Sequence, residues 1–437
     1  CCPRDLREVQ RDLCARRRSG RDLPIGLRRA GAGRFSPERT FACRGGNRTA
    51  PVVARHSPGE LTMTMYRQKR RTLLDFDWWL LGGALALALL GVVEIYSSQP
   101  HEDFWKRQLM WVVVGLVAMF VTARVDYHRI IEAAPFFYGL CLFLLVLVLP
   151  FGQEVSGTKA WLGIGRFSIQ PSEFAKIGTI LMLAPFLAER WDEHRRTKSP
   201  YLRMPDVLAA SGIVLLPVGL ILLEPDVGTA LVFFPILGGM LVVAGLHPRI
   251  IAAGIVGVAV ALSLGWYFRD RVLKEYQVQR IEAILHPERA DRRGYGYQTY
   301  QSMVAVGSGG LIGRGLFRGT QSRLRFLPKA YTDFIGAVVA EELGFLGMVS
   351  VLALYAFLLL RALNHAKLAR DQVGTLLVTG VVCMMAFHVL VNLSMVVGLV
   401  PVIGIPLPLM SYGGSALVAT FIGLGLIANV RWHRYVN

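Results

Sequence analysis

The chain has 437 residues, of which 53% are hydrophobic and 18% charged, and carries a net charge of +18 at a mean hydropathy of +0.44. Soluble chains of this size carry about 25% charged residues, so a cytosolic globule is excluded, and so is disorder beyond the N-terminal head. The hydrophobic residues come in long blocks, the pattern of an all-α polytopic membrane protein.

Residues 1–62 hold 14 Arg, no Lys and six acids, together with Cys1, Cys2, Cys14 and Cys43. No helical or strand period runs through them, and they lack the apolar run of a signal peptide. This basic, unstructured head reads as non-native upstream translation ahead of Met63 or Met65, which leaves residues 63–437 as the membrane domain. Cys141 and Cys383 sit inside apolar blocks, where cysteine packs as a small hydrophobe, and imply no disulfide framework.

Crossing a bilayer takes about 20 apolar residues. Charge-poor runs of that kind lie near 76–97, 107–123, 132–150, 171–188, 206–223, 226–246, 250–268 and 335–360. The 59 residues from Gln372 to Val430 contain no Asp, Glu, Lys or Arg and supply two more spans around a Pro/Gly-rich connection. Ten spans place both termini on one side. Short loops on that side hold 17 Lys and Arg against four opposite, so the termini are expected in the cytoplasm. One large extracytoplasmic loop, residues 269–332 between the seventh and eighth spans, carries 12 Lys and Arg against five acids. Its cations suit either lipid headgroups or an anionic, membrane-bound substrate such as a lipid-linked pyrophosphate.

Ionisable groups inside spans are costly and mark function by default. Gln170-Pro171-Ser172-Glu173-Phe174-Ala175-Lys176 spaces Glu173 and Lys176 to pair on one face of a helix opened by Pro171, either as a structural tie or as a cavity lining. In Glu224-Pro225-Asp226-Val227-Gly228-Thr229, Pro225 stops one helix and Asp226 is placed to cap the next. Glu94 and His388 are single polar residues near or within spans, and His388 reads as a core histidine with a local partner. The stretch Gly307-Ser308-Gly309-Gly310-Leu311-Ile312-Gly313-Arg314-Gly315 lacks the Lys-Ser/Thr ending of a nucleotide loop. Asp333 stands where a long flexible loop enters a helix, as a cap or a catalytic carboxylate. Irregular backbone from Gly404 to Ser415 must be buried in protein or line a wet cavity. Neither metal-ligand spacing nor a Ser/His/Asp set is present, and nothing points to nucleotide, haem or nucleic acid.

Four ordered motifs resemble the SEDS family (shape, elongation, division and sporulation proteins), over about residues 66–435. They are Trp161-Leu162 through Gln170-Pro171-Ser172-Glu173; Pro225-Asp226-Val227-Gly228-Thr229; Thr332-Asp333-Phe334-Ile335 with Glu341-Glu342-Leu343-Gly344; and Pro406-Leu407-Pro408 to Gly413-Gly414-Ser415. Gly319-Thr320-Gln321-Ser322 ahead of Phe326-Leu327-Pro328 resembles the elongation branch rather than the division branch.

The resemblance implies a peptidoglycan glycosyltransferase of the bacterial inner membrane that polymerises lipid II outside the cytoplasm during elongation and rod-shape maintenance. Its implied partners are a class B penicillin-binding protein transpeptidase, the elongation machinery and membrane lipids. It implies Asp333 as the catalytic residue essential to polymerisation; since inverting transfer needs one base and a hydroxyl is a poor nucleophile, Asp333 is the expected general base. Arg107, Gln170, Ser172, Glu173, Lys176, Asp226, Thr332, Glu341, Ser411, Tyr412, Gly413, Gly414 and Ser415 are then candidates for binding substrate or lining its cavity. A divalent cation, Mg²⁺ or Mn²⁺, would have Asp226 or Glu173 as ligands, although no spacing demands one. Two positions depart from the family pattern: Lys329 stands where relatives often have Glu, and Tyr331 replaces the usual His. The rival readings are a lipid II transporter, in which a polar cavity serves passage, a division-type polymerase, and a noncatalytic scaffold for the transpeptidase.

Overall fold

The computed structural model describes residues 76–155, 158–164, 167–196, 201–267 and 296–433. The basic head and the first part of the long loop lie outside the described residues.

Hydrocarbon offers the backbone no hydrogen-bond partner, so an apolar run inside a membrane has to satisfy itself as a helix. All ten segments read as spans are helices. In chain order the elements are α1 (Trp78–Ser98), α2 (Phe104–Arg124), a short α3 (Tyr127–Glu132), α4 (Ala134–Phe151), strands β1 (Gln153–Val155), β2 (Thr158–Ile164) and β3 (Phe167–Ile169), α5 (Pro171–Arg196), α6 (Met204–Leu223), α7 (Val227–Val243), α8 (Pro248–Tyr267), α9 (Gly296–Gly309), α10 (Thr320–Arg323), α11 (Ile335–Lys367), α12 (Gln372–Val396) and α13 (Gly414–Trp432). Among the described residues, α1, α2, α4, α6, α8, α11, α12 and α13 are long and apolar enough to cross a membrane. Helix α7 is apolar but has 17 residues, and α5 carries Glu173 and Lys176 in its first two turns.

No strand is expected from the sequence, yet three are present among the described residues. The three form an antiparallel meander, β1-β2-β3, with Leu162 opposite Ile169 and Gly163 opposite Ser168. The Trp161-Leu162 motif lies in β2, and the meander delivers the chain from α4 to Gln170 at the mouth of α5.

Helices α12 and α13 are the most enclosed, burying His388 and Asn392 on the first and Asn429 on the second. Helix α13 lies along α2, α12 packs against α5, α7 and α11, and α11 packs against α1 and α9. Residues 252–260 of α8 are all exposed, which costs little where the solvent is lipid. Association between helices therefore rests on packing and polar ties rather than on withdrawing apolar surface from water.

One such tie closes the end of the bundle away from Asp333. Asp77 caps α1 by accepting from Leu80 N at 3.3 Å, takes Nε and Nη2 of Arg361 at 2.8 and 3.1 Å, and meets His365 at 2.6 Å and Arg431 at 2.7 Å. Burial alone would raise its pKa; hydrogen bonds from His365 and Arg361 and the charge of Arg431 overcome that and hold it below the usual carboxylate range. A single aspartate thus joins α1, α11 and α13.

The second half of the long loop is not the flexible connection expected. Helix α9 packs against α11, and the glycine-rich segment after it pairs with α11 through four backbone bonds. Arg314 N donates to Glu341 O at 3.0 Å, Gly315 N to Glu342 O at 2.9 Å, Phe345 N to Gly310 O at 2.9 Å and Leu346 N to Leu311 O at 3.0 Å. Such pairing is open because α11 breaks at Gly344 (φ 70°, ψ −165°). Gly313 (φ 79°) fits against that break only without a side chain, since a Cβ would run into the Glu342 carbonyl. Gly313 therefore serves close backbone contact.

Gly313→Ala combines a left-handed backbone with that collision, and strain of this kind costs on the order of 1–3 kcal/mol. The variant should melt earlier than the parent in detergent, as followed by fluorescence-detected size exclusion. Ala at Gly307, where a Cβ meets nothing, should be tolerated.

Candidate active site

Three irregular segments meet at one end of the bundle: the turn before α11, the turn between α6 and α7, and the connection between α12 and α13. Their backbone groups have left helix geometry, so side chains must supply the partners. Asn392, on α12, donates from Nδ2 to Asp333 O and to Ile405 O, each at 2.8 Å. Ser411 Oγ donates to Thr332 O at 2.6 Å and accepts from Leu407 N at 2.8 Å. Tyr412 N donates to Tyr331 O at 2.9 Å. Gln108, on α2, donates to Ser411 O at 2.9 Å and accepts from Gly413 N at 3.3 Å.

Asp333 is thereby held by the backbone on both sides of its Cα, while its side chain is only half-buried. Burial raises its pKa above the usual value, as does the charge of Asp226; Lys329 and a hydrogen bond from Thr332 pull the other way without cancelling the rise. Asp226 caps α7 by accepting from Thr229 N at 3.0 Å and Thr229 Oγ1 at 2.7 Å, and accepts from Gln170 Nε2 at 3.0 Å. Burial is also the main reason its pKa is raised. Gln170 N donates to Ser415 Oγ at 3.0 Å. One connected set of contacts therefore runs from the mouth of α5 to the start of α13.

Below it, Lys176 Nζ pairs with Glu173 Oε1 at 2.7 Å, with side-chain exposures of 1% and 6%. Tyr331 stacks on Phe104, ring centres 4.7 Å apart, and Tyr412 meets both rings edge-on. The tyrosine at the position where the family pattern has His is thus part of an aromatic wall.

Of the residues singled out in the sequence, Gln170, Asp226, Thr332, Asp333, Ser411, Tyr412, Gly413 and Ser415 are joined here. Gly414 starts α13 against the Trp111 ring. Ser172 is buried with its hydroxyl unpartnered, and Arg107 is exposed on the first turn of α2.

Glu341, expected to line the cavity, is instead committed to the loop. Its Oε1 accepts from Thr320 N at 2.6 Å, Thr320 Oγ1 at 3.1 Å and Gln321 N at 2.8 Å, and its Oε2 from Ser322 N at 3.3 Å and Ser322 Oγ at 3.2 Å. Glu342 likewise accepts from Phe317 N at 2.8 Å, Gly319 N at 3.3 Å and Ser97 Oγ. Five donors saturate the Glu341 carboxylate, which leaves no lone pair for a ligand.

Sequence reasoning missed Gln108 and Asn392. Each is one amide in an apolar helix, and no spacing rule singles it out. Asp226 and Glu173 are the candidate metal ligands, yet Asp226 already has three donors and Glu173 faces an ammonium. Among the described residues no group of three or more His, Cys, Asp or Glu is placed to hold an ion.

Asn392→Leu would strand the buried Ile405 carbonyl and the part-buried Asp333 carbonyl, and a stranded buried polar group costs about 1–3 kcal/mol. The variant should lose thermal stability relative to the parent, and hydrogen exchange should rise at residues 405–412 while the α2–α13 contact stays protected.

Comparison with known proteins places the chain. The sequence pattern of the family described as FTSW_RODA_SPOVE, cell cycle protein, matches residues 73–436. The peptidoglycan glycosyltransferase MrdB of Escherichia coli K12 is 39% identical over 354 residues, covering 80% of this chain and 92% of the relative. The peptidoglycan glycosyltransferase RodA of Treponema pallidum is 35% identical, with coverage of 82% and 98%. A chain in a solved structure described as structural coordination of polymerization and crosslinking by a peptidoglycan synthase complex superposes with a TM-score of 0.71 at 34% identity, covering 83% of this chain and 99% of that one.

Proposed function

From its place in the FtsW/RodA/SpoVE family of cell-cycle proteins, to which this chain belongs, we propose that it is a multi-pass peptidoglycan glycosyltransferase of the elongation type, polymerising lipid II with Asp333 as general base. The carrying observation is the convergence on Asp333: three irregular segments are fixed around one partly buried carboxylate whose basicity is raised. The similarity to MrdB and RodA, named for this activity and aligned over most of their length, supports the reaction class.

The reaction joins the 4-hydroxyl of one lipid II to the anomeric carbon of another lipid-linked sugar, expelling the diphosphate. Inversion at that carbon needs one base and no covalent intermediate. A hydroxyl is a weak nucleophile, and a carboxylate that removes its proton as the bond forms contributes about 10²–10⁴-fold. The raised pKa makes Asp333 a stronger base than a free aspartate. The departing diphosphate needs charge compensation more than a proton, and Lys329, Arg107, Arg314, Arg318, Arg323 and Arg325 are among the cations of the described segments at this end.

The loop of residues 269–332 then faces outward, the termini lie in the cytoplasm, and the protein sits in the bacterial inner membrane. A class B penicillin-binding protein is the proposed partner; similarity to a chain of a peptidoglycan synthase complex supports that reading.

With labelled lipid II and the partner transpeptidase, the parent protein should produce glycan strands on a resolving gel. Asp333→Ala and Asp333→Asn should produce none while remaining folded in the membrane. Strands from both variants would remove Asp333 from the base role.

Only the deprotonated base is active and its pKa is raised, so kcat/KM should fall as pH is lowered through a value above the ordinary aspartate range. Lys329 favours the charged form of Asp333; Lys329→Met should therefore move that acid limb to higher pH. An unmoved limb would assign it to another group.

A further inference from the structure

His388 lies inside α12, 6% exposed, and takes no direct part in the reaction as drawn. Its Nδ1 is 2.7 Å from Met384 O. A carbonyl can only accept, so the ring proton is on Nδ1 and the lone pair is on Nε2. That lone pair faces Lys176 Nζ at 3.2 Å. The ammonium therefore donates one proton to Glu173 and one to His388, across the contact between α5 and α12. A void of about 10 Å³ beside it, about the space of one water, is bordered by Glu173, Lys176, His388, Ser411 and Thr420.

The two helices joined by this contact carry the two halves of the site. One turn beyond His388, on the same face of α12, Asn392 holds the Asp333 and Ile405 carbonyls. At the mouth of α5, Gln170 holds Asp226 and Ser415. A shift between α5 and α12 would change how Asp226 stands to Asp333.

We infer that His388 is a positioning residue for the transfer reaction: by accepting from Lys176 it locks α5 to α12 and so sets Asp226 against Asp333. A neutral imidazole suits this task, because it accepts a hydrogen bond without adding a second negative charge beside Glu173. The inference rests on the transferase reading for its kinetic part, and on the Lys176 contact alone for its structural part.

The test uses the full chain with its transpeptidase partner and compares His388→Gln, His388→Leu, Lys176→Met and the double variant His388→Leu/Lys176→Met. Gln retains an acceptor and should keep kcat close to the parent value. Leu removes the acceptor, and a misplacement of reacting groups by about 1 Å costs up to 10²-fold, so kcat should fall about 10- to 100-fold with KM for lipid II unchanged. Groups in contact give non-additive effects; the double variant should lose no more activity, and no more melting temperature, than Lys176→Met alone. Should His388→Leu fail to fold, His388→Met replaces it in the cycle.

Equal damage from Gln and Leu, full activity in Leu, a loss confined to KM, or losses that multiply would each overturn the inference. A parent protein that makes no strands would sink the transferase reading instead. The melting-temperature cycle, which needs no turnover, would then decide whether His388 acts through Lys176.

Discussion

Irregular backbone at the end of a membrane-embedded bundle must find hydrogen-bond partners, and the shape of the site follows from which side chains provide them. Helices satisfy their own amides, but the turn at residues 329–334 and the connection at residues 398–413 do not. Asn392, Gln108 and Ser411 answer most of that demand, and each does so from a position fixed by helix packing or by the connection itself. An amide in this role bridges two segments at once, as when Nδ2 of Asn392 serves Asp333 and Ile405. The turn that carries Asp333 and the connection facing it are held together by the groups that satisfy them.

The same demand explains the long loop. Glu341 and Glu342 follow one another just before the break in α11, and together they accept eight hydrogen bonds from residues 97 and 317–322. Buried carboxylates are expensive unless hydrogen-bonded, and hydrogen bonds to charged groups are stronger than neutral ones. Two acids thus fold a segment too polar and too glycine-rich to fold by packing. The fixed loop presents Arg314, Arg318, Arg323 and Arg325 at its surface instead of leaving them on a tether.

Much of this was legible in the sequence, for identifiable reasons. Spans announce themselves through charge-free length, and all ten proposed segments are helices. The pairing of Glu173 with Lys176 follows from helical spacing, and the capping by Asp226 from its place after Pro225. Asp333 was marked by its place at a helix entrance and by its motif. The illegible parts depend on contacts far along the chain. Gln108 and Asn392 act on residues 303 and 59 positions away, and His388 is 212 positions from Lys176. Glu341 shares a motif with Asp333, so the sequence grouped it with the cavity, but its partners lie about 20 positions upstream. Strands β1 and β3 were hidden by brevity, since three residues give no period to read.

The distribution of polar groups also separates chemistry from passage. A transporter binds its cargo near the midplane and opens to each side in turn, so it needs polar surface that can be exposed at both ends. Here Ile335 begins α11 beside Asp333, and Arg361 lies near its other end, about 24 Å of continuous helix past the break at Gly344 at 1.5 Å per residue. At the Arg361 end, Asp77 is saturated by Arg361, His365 and Arg431. Nearby, Tyr127 donates to Asp371 at 2.9 Å and Asn429 accepts from Tyr127 N at 3.2 Å. Opening that end would separate a buried aspartate from its cations, and breaking a buried ion pair costs about 3–5 kcal/mol. The partly buried Asp333, the void beside Lys176 and the fixed cationic loop all belong to the other end. A site that binds, reacts and releases on one face needs only that end to stay open, and the closed end keeps the helices beneath it in register.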